Sequence, residues 1–264
     1  MTTNAEQTSN VHELPSEASG VQSVVRAFRL LELLAEAHGG LTLNDLGAMV
    51  GLPVTTCHRL LKTMASLGYV RQLPSRKYGL GLRLMRLGQY ADLQIGPTAH
   101  KYLATIVERF GETANLAMLD GDQVVYVAQV PSPHSMRMFT EVGHRTYTHS
   151  TGVGKAILSV VDDAAVRRIT GRAGMPRATE TTITDPDELA QDLALSRERG
   201  YAIDEGEHEL GVRCYAVPLL GLPIPAALSI SGPSVRLTQA VGESAVPLLK
   251  EAAAGLAKEL AGDD

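Results

Sequence analysis

Residues 41–70 constrain the fold most, because their pattern predicts two short helices joined by a tight turn. The stretch is LTLNDLGAMVGLPVTTCHRLLKTMASLGYV. Thr42 is a good N-cap for the first helix, and Asp45 follows three residues later, where a carboxylate meets the free amides of a helix start. Gly51-Leu52 forms the turn. Pro53 suits the first turn of the second helix, because its missing N–H would have had no partner there.

The second predicted helix separates an apolar side from a polar side at about 100° per residue. The apolar side holds Cys57, Leu60, Leu61, Met64 and Leu67, and the polar side holds Thr55, His58, Arg59 and Lys62. A solvated face usually mixes acids and bases, whereas this polar side has no acid and suits a polyanion. The pattern is typical of a helix-turn-helix that offers its second helix to the DNA major groove. An ordinary helical hairpin with a basic outer face is the alternative.

The residues that follow predict a β-hairpin with a basic tip. A strand opens at Tyr69-Val70, a turn covers residues 74–77, and a return strand begins at residues 78–80. A helix-turn-helix followed by such a hairpin is a winged helix. Phosphate or minor-groove contacts are expected from the hairpin and base contacts from the helix, with Arg59 best suited to a guanine edge. The predicted DNA-binding residues are Thr55, Thr56, His58, Arg59, Lys62, Arg71, Arg76 and Lys77.

The charge of the chain is divided between a basic segment and an acidic remainder. The net charge is −5, yet residues 21–95 hold nine Lys/Arg against four Asp/Glu, and residues 96–264 hold fifteen against twenty-two. This layout is typical of a DNA-reading domain attached to a body with another task. Cys57 and Cys214 are predicted to be buried free thiols in a reducing compartment. Without a signal peptide or a membrane-length apolar run, the expected location is cytoplasmic.

The order of predicted elements favours an α+β protein. We expect a disordered tail over residues 1–20, a winged helix-turn-helix domain over 21–82, a linker helix over 83–96 and a second domain over 97–264. The first helix should span residues 24–37, with Ser23 as its cap. The second domain should contain helices at 98–110, 152–161, 163–170, 186–199 and 236–260, and strands at 114–119, 124–130, 135–140, 212–218 and 226–231. Strands, then helices, then strands indicate one largely antiparallel sheet.

Two stretches of the second domain have the composition of a binding site. Residues 149–156, HSTGVGKA, enter a predicted helix, where free amides and glycines would admit an anion; a tight packing loop is the alternative. Ser229 and Ser231 lie two apart on a strand and therefore point to the same face. With Asp204 and Cys214 they could hold a small polar ligand, although strand-end serines often bond only to backbone.

Catalysis and metal binding are weaker interpretations of the same residues. The ingredients of nucleophilic chemistry are His149, Ser150, Lys155, Asp204 and Cys214. No spacing diagnostic of a catalytic site joins them. His149, His208 and Cys214 likewise lack the paired spacing of metal ligands. We therefore expect no catalytic residue, no metal and no cofactor.

Several segments, in this order, resemble the IclR family of bacterial transcription regulators. They are SVVRAFRLL (23–31), GLPVTTCHRLLKTMASLGYV (51–70), KYGLGLRLMRLG (77–88), HSTGVGKAIL (149–158), GVRCYAVPL (211–219) and ALSISGPSVRL (227–237). The resemblance implies a winged helix-turn-helix joined by a linker helix to a GAF-like α/β effector domain. It also implies homodimers that often associate into tetramers on operator DNA, and a small-molecule effector, commonly a carboxylic or aromatic acid.

The same resemblance implies a set of ligand-binding residues. They are Thr151, Gly152, Val153, Asp204, Cys214, Ser229 and Ser231. Residues 115–140 look most similar to actinobacterial members, including allantoin-pathway regulators, so allantoate or glyoxylate is the expected effector. Asp204 would repel a bare carboxylate, and a ligand with hydrogen-bond donors, such as a ureido acid, suits it better.

The expected function is a repressor that a small carboxylic or ureido acid releases from its operator, with no membrane partner. A small-molecule enzyme carrying a winged-helix appendage is the first alternative. A winged helix used only for protein contact is the second, although its recognition face should then contain apolar residues.

Overall fold

The computed structural model describes residues 21–37, 39–92, 95–137 and 141–261, with the side chains of residues 89–92 left out. The chain forms two compact units that divide between Ala91 and Asp92. The predicted disordered tail, residues 1–20, lies outside the described residues.

The first unit is a winged helix-turn-helix, as predicted. Its elements are α1 (Gln22–Glu36), α2 (Leu43–Val50), α3 (Val54–Ser66), β1 (Val70–Gln72), β2 (Tyr78–Leu80) and α4 (Arg83–Asp92). Each of the first three helices contributes a fully buried leucine to a single core: Leu30, Leu46 and Leu61. Tyr78 joins this core from the antiparallel β1–β2 hairpin, so the hairpin is packed on the helices.

The ends of the helices follow local sequence signals in two cases and depart from them in two others. Thr42 accepts a hydrogen bond from the Asp45 amide, and the Asp45 carboxylate accepts from the Thr42 amide, which makes a capping box at α2. Gly51 ends α2 with a left-handed φ of 68°. The prediction that Ser23 caps α1 is wrong, because α1 begins earlier, at Gln22. Leu67, which was predicted on the apolar side of α3, does not belong to the core either, because it lies at the end of the helix and is 47% exposed.

The second unit is built on one six-stranded sheet. Its elements are α5 (Gly96–Phe110), β3 (Thr113–Asp120), β4 (Gln123–Val130), β5 (Arg145–Tyr147), α6 (Gly152–Leu158), α7 (Asp163–Ala173), α8 (Pro186–Arg199), β6 (Ala202–Glu205), β7 (Val212–Leu219), β8 (Ala226–Pro233) and α9 (Gln239–Ala261). The strand order is β5-β4-β3-β8-β7-β6, and every neighbouring pair is antiparallel. The prediction of an α+β domain with an antiparallel sheet is confirmed.

Helices cover both faces of the sheet. The α5 and α9 helices pack on one face, against alternate residues such as Tyr215 and Ile230. On the other face, Val153 and Ile157 of α6 pack near Cys214 and Ala216. The residues of β7 alternate between the two faces, so a side chain's position along the strand decides which set of helices it meets.

Three local predictions need correction. Residues 135–137 form no strand, since 135 and 136 are bends, and residues 138–140 of that prediction lie outside the described residues. The edge position belongs instead to β5, which pairs with β4 and was not predicted. The β6 strand was also missed, because four residues of mixed polarity, AIDE, give no clear alternation. The helix predicted over residues 83–96 is observed as the shorter α4, which ends at Asp92, and Gly96 already belongs to α5.

The close packing of α9 on β7 gives a stability prediction. A Cβ on Gly242 would overlap the ring of Tyr215, which is completely buried. We expect Gly242→Ala to lower the free energy of unfolding by about 1–3 kcal/mol through overpacking, despite the better helix propensity of alanine. Gly171→Ala in α7 is the matched control, because its Cβ would meet open space, and it should be neutral or stabilising by up to about 1 kcal/mol. Urea unfolding of both variants measures the difference, and equal stability would contradict this packing.

Candidate functional site

The outer side of α3 is polar, basic and exposed. Thr55, His58, Arg59 and Lys62 are exposed and Thr56 is half-buried, while Cys57, Leu61 and Met64 face the core. The exposed DNA-binding residues predicted on α3 therefore lie on the side of the helix that faces away from the core. Thr63 shares the exposed side and donates its hydroxyl to the Arg59 carbonyl at 3.0 Å. Nothing on this side of the helix is acidic, so the surface favours an anionic partner.

The hairpin presents its basic residues on a short, tightly turned tip. The Leu73 amide donates to the Lys77 carbonyl at 2.7 Å, and the Arg76 amide donates to the Leu73 carbonyl at 2.9 Å. Arg76 itself has a left-handed φ of 61°. Arg71, Arg76 and Lys77 are all exposed, so their side chains are available to a partner.

In the second unit, the register of the sheet gathers the predicted ligand residues on one face. Asp204 pairs with Cys214, and Cys214 pairs with Ser231, in a row across β6, β7 and β8. Ser229 lies in the next row on the same face, opposite Ala216. All four predicted side chains are at most 5% exposed. Residues that are far apart in the sequence therefore form one buried polar cluster.

The start of α6 lies directly over this cluster. Thr151 caps the helix by accepting from the Gly154 amide at 3.2 Å, and its hydroxyl donates to the Tyr147 carbonyl at 3.1 Å. The amides of Gly152 and Val153 precede the first intrahelical bond and have no acceptor within the helix. A Cβ on Gly152 would stand 2.6 Å from the Cys214 Sγ, so only glycine permits this approach. The predicted ligand residues of α6 and of the sheet therefore meet.

The buried polar atoms without a hydrogen-bond partner among the described residues include the Ser229 Oγ and the His149 Nδ1. The His149 Nε2 faces the Pro176 carbonyl at 3.1 Å, so this nitrogen carries the proton and Nδ1 is an acceptor. Buried unpaired polar atoms are costly, so each calls for an explanation, such as an ordered water or a ligand that pairs with it.

A buried ion cluster adjoins the predicted site and was not predicted. Lys155 is 1% exposed; its Nζ donates to the Glu207 Oε1 and lies 3.1 Å from the Asp192 Oδ2. Burial lowers the pKa of Lys155, but the two carboxylates outweigh it, and the pKa lies above its ordinary value. Lys155 is therefore a structural cation. The sequence marked the lysine as chemically notable, but nothing in it pairs residues 155, 192 and 207.

Asp204 belongs to the same electrostatic neighbourhood. Burial, and then the charge of Glu207, raise the pKa of Asp204 from 3.8 to about 7. The Glu207 amide donates to the Asp204 Oδ1 at 2.7 Å and opposes this rise. A large fraction of the molecules therefore carries a protonated Asp204 at neutral pH. In that form the carboxyl group can donate a hydrogen bond.

The titration of Asp204 predicts how stability depends on pH. Between about pH 4 and pH 7 the folded chain keeps a proton on Asp204 that the unfolded chain has released. The contribution of Asp204 to the free energy of unfolding therefore falls as the pH rises through this range, and it changes little above pH 7. Asp204→Asn should therefore raise the free energy of unfolding at pH 8 by about 1–3 kcal/mol and have little effect near pH 4. Calorimetric melting at both pH values tests this; an equal effect at both would contradict the buried, protonated carboxyl.

The thiol in the cluster is not prepared for nucleophilic chemistry. Burial raises the pKa of Cys214 to about 12, with the nearby serine hydroxyls opposing the rise. A thiol with that pKa is protonated at neutral pH, and thiolate is the reactive form.

In the described part of the chain, no group of three or more His, Cys, Asp or Glu residues is arranged to hold a metal ion. Of the helices described, none is long and apolar enough to span a membrane.

Comparison with known proteins identifies both units. Residues 23–74 match the IclR helix-turn-helix domain, and residues 89–258 match the C-terminal domain of the bacterial transcriptional regulator IclR. The chain belongs to the IclR family. The transcriptional repressor IclR of Escherichia coli is 37% identical over 226 residues, which cover 83% of this chain and 82% of that protein. Members of this family are DNA-binding transcriptional regulators with an effector domain, not enzymes.

Solved structures of the IclR family have the same architecture. An IclR regulator from Alicyclobacillus acidocaldarius is 32% identical, with a TM-score of 0.79, over 90% of this chain and 98% of that one. An IclR homologue from Microbacterium hydrocarbonoxydans, solved with 4-hydroxybenzoate, is 27% identical, with a TM-score of 0.80. The match covers 91% of this chain and 100% of that one. The predicted family and its two-domain fold are thus confirmed. Which residues of this chain contact DNA or effector stays a prediction.

Proposed function

We propose that this IclR-family regulator is a repressor that a small organic acid releases from its operator. The observation that supports operator binding most strongly is the acid-free, exposed side of α3, beside a hairpin with a basic tip. Arg59 would contact a guanine edge in the major groove, helped by Thr55, Thr56, His58 and Lys62. Arg71, Arg76 and Lys77 would contact phosphates or the minor groove and position the domain on the duplex.

We further propose that the effector binds where α6 meets the row of Asp204, Cys214 and Ser231, with Ser229 beside it. Thr151, Gly152 and Val153 would complete the site. The Gly152 and Val153 amides can donate to a carboxylate, and a protonated Asp204 can donate as well. Protonation of Asp204 therefore reduces its expected repulsion of a carboxylate at neutral pH. The Ser229 Oγ, which also interacts with the Cys214 thiol, supplies one more polar contact.

Glyoxylate and allantoate are the specific effectors that we propose for this site. Both offer a carboxylate to the amides of α6. A hydrated aldehyde or a ureido group additionally offers donors to an ionised Asp204, so these ligands suit either protonation state. The 4-hydroxybenzoate complex of the Microbacterium relative supports the broader class of small acids.

The assembly and location proposed here follow from operator binding. A homodimer would place two α3 helices on the two halves of a pseudo-palindromic operator, and dimers would pair into tetramers on DNA. The DNA target places the protein in the cytoplasm, with no membrane partner.

Thermal unfolding against a panel of acids tests the effector site. Glyoxylate, allantoate and 4-hydroxybenzoate are added to the full chain at equal ionic strength, and the compound that binds should raise the melting temperature. The Ser229→Ala/Ser231→Ala double variant should weaken its binding by about tenfold or more, because each lost hydrogen bond contributes about 1 kcal/mol. Ser234→Ala, just beyond β8, is the control and should bind as wild type. Equal binding by the double variant would exclude these serines from the site.

A further inference from the structure

A concave surface lies at the edge of the sheet, away from the row of Asp204, Cys214 and Ser231. The β6 strand begins at Ala202, which pairs with Ala216, so among the described residues no strand pairs with β7 on this side from Val217 onward. The end of α8 and the C-terminal half of α9 flank the open stretch. The resulting cavity, here called the α8–α9 groove, has a volume of about 740 Å³. This volume falls within the range of small-molecule sites.

The floor of the groove is apolar and the rim is basic. Val217, Ala253 and Ala257 are buried in its floor, and Leu220 is 66% exposed at its mouth. Such an exposed leucine beside an apolar cavity offers surface for an apolar ligand.

The positive charge of the rim is not typical of this unit. Lys250, Lys258 and Arg197 line the groove, and the described lining residues include no Asp or Glu. Residues 96–264 as a whole hold more acids than bases. Arg197 is partly neutralised by Asp163 at 2.9 Å, whereas Lys250 donates to a neutral acceptor, the Arg199 carbonyl, at 3.0 Å. The rim therefore keeps a positive potential over an apolar floor.

We propose that the α8–α9 groove is a second ligand site, which binds an organic monocarboxylate with an apolar body. The apolar part covers Val217 and the α9 alanines, and the carboxylate meets Lys250 and Lys258. A polyanion would leave the apolar floor unused, and a neutral apolar molecule would leave the cations unpaired. This site is separate from the proposed effector site, since none of its lining residues belongs to that site.

Calorimetric titration of the full chain with sodium octanoate tests the proposal, with octylamine as the probe of opposite charge. Octanoate should bind with 1:1 stoichiometry per chain, and octylamine should not. Ala254→Trp places an indole in the groove from an exposed position of α9 and should abolish binding. Ala240→Trp, on an exposed position of the same helix outside the groove, is its control. Lys258→Glu should weaken binding by about 3–10-fold, whereas Arg168→Glu, the same charge change on α7, should not.

Each other result would overturn the proposal. If octanoate still binds to Ala254→Trp, the α8–α9 groove is not the octanoate site. The same conclusion follows if the wild type binds no octanoate at about 10 mM, a concentration that fills a site with millimolar affinity. Loss of octanoate binding in Ser229→Ala/Ser231→Ala would place the ligand at the first site instead. A change of oligomeric mass in Ala254→Trp, measured by light scattering without ligand, would assign the groove to contact between copies of the chain. Unchanged melting temperatures of the tryptophan variants show that both remain folded.

Discussion

Replacing Lys155 with methionine should lower the free energy of unfolding by about 3–5 kcal/mol. The Lys155 Nζ is buried between Glu207 and Asp192, and Glu207 itself is almost completely buried. Methionine has nearly the same length but no charge, so it leaves the carboxylates without their cation in a poorly solvated position. Urea unfolding of the full chain at pH 7 measures the loss.

Two comparisons separate the ion cluster from general effects of the substitution. Lys101→Met makes the same change in an exposed pair with Glu259, 58% and 39% exposed, and should cost less than about 1 kcal/mol. Adding Glu207→Gln to Lys155→Met removes the unpaired acid and should restore a large part of the stability. If Lys155→Met is no worse than Lys101→Met, or Glu207→Gln restores nothing, the cluster does not stabilise the fold as described.

Replacing Arg59 with alanine should weaken specific operator binding by about 10–100-fold without changing the melting temperature. The side chain is exposed on α3, so its loss leaves no cavity, and a bidentate contact to guanine contributes about 1–3 kcal/mol. Gel shift or fluorescence anisotropy on the promoter region of the protein's own gene, with a scrambled duplex of equal length, measures both specific and non-specific binding.

Arg59→Lys sharpens this test because it keeps the charge and removes the planar fork of donors. We expect Arg59→Lys to bind the scrambled duplex as wild type and to lose most of the preference for the operator. Lys77→Ala should instead weaken binding to both duplexes equally and reduce the dependence on salt. Full operator preference in Arg59→Lys would show that Arg59 does not contact a base.

The winged helix was predictable because its signals are local. The Thr42 cap with Asp45, the left-handed Gly51 and the apolar side of α3 each operate within one or two turns of helix. The α1 helix starts without a side-chain cap, so the nearby Ser23 led to a wrong prediction of where the helix begins. The antiparallel sheet followed from strong strands such as β3 and β4, whereas short strands such as β6 leave no period to detect.

The candidate site was only partly accessible from the sequence. Family resemblance supplied Asp204, Cys214 and the serines, and strand alternation placed Ser229 and Ser231 on one face. The direct pairing of Asp204 with Cys214, and of Cys214 with Ser231, depends on register, which the loops between these strands help to set, and the β6 strand itself was not predicted. The pairing of Lys155 with Glu207 spans 52 residues and arises only when α6 packs on the sheet. The rise in the pKa of Asp204 depends on that same packing.

We propose that a small acid bound at the α6 site releases the protein from its operator. The most direct test measures anisotropy of the labelled promoter duplex during titration with glyoxylate or allantoate, for the wild type and for Ser229→Ala/Ser231→Ala. We expect the wild type to leave the DNA as one acid is added, and the double variant to bind the same DNA but to need about tenfold more acid for release. Release at the same acid concentration in both proteins, or an operator complex insensitive to both acids, would contradict it.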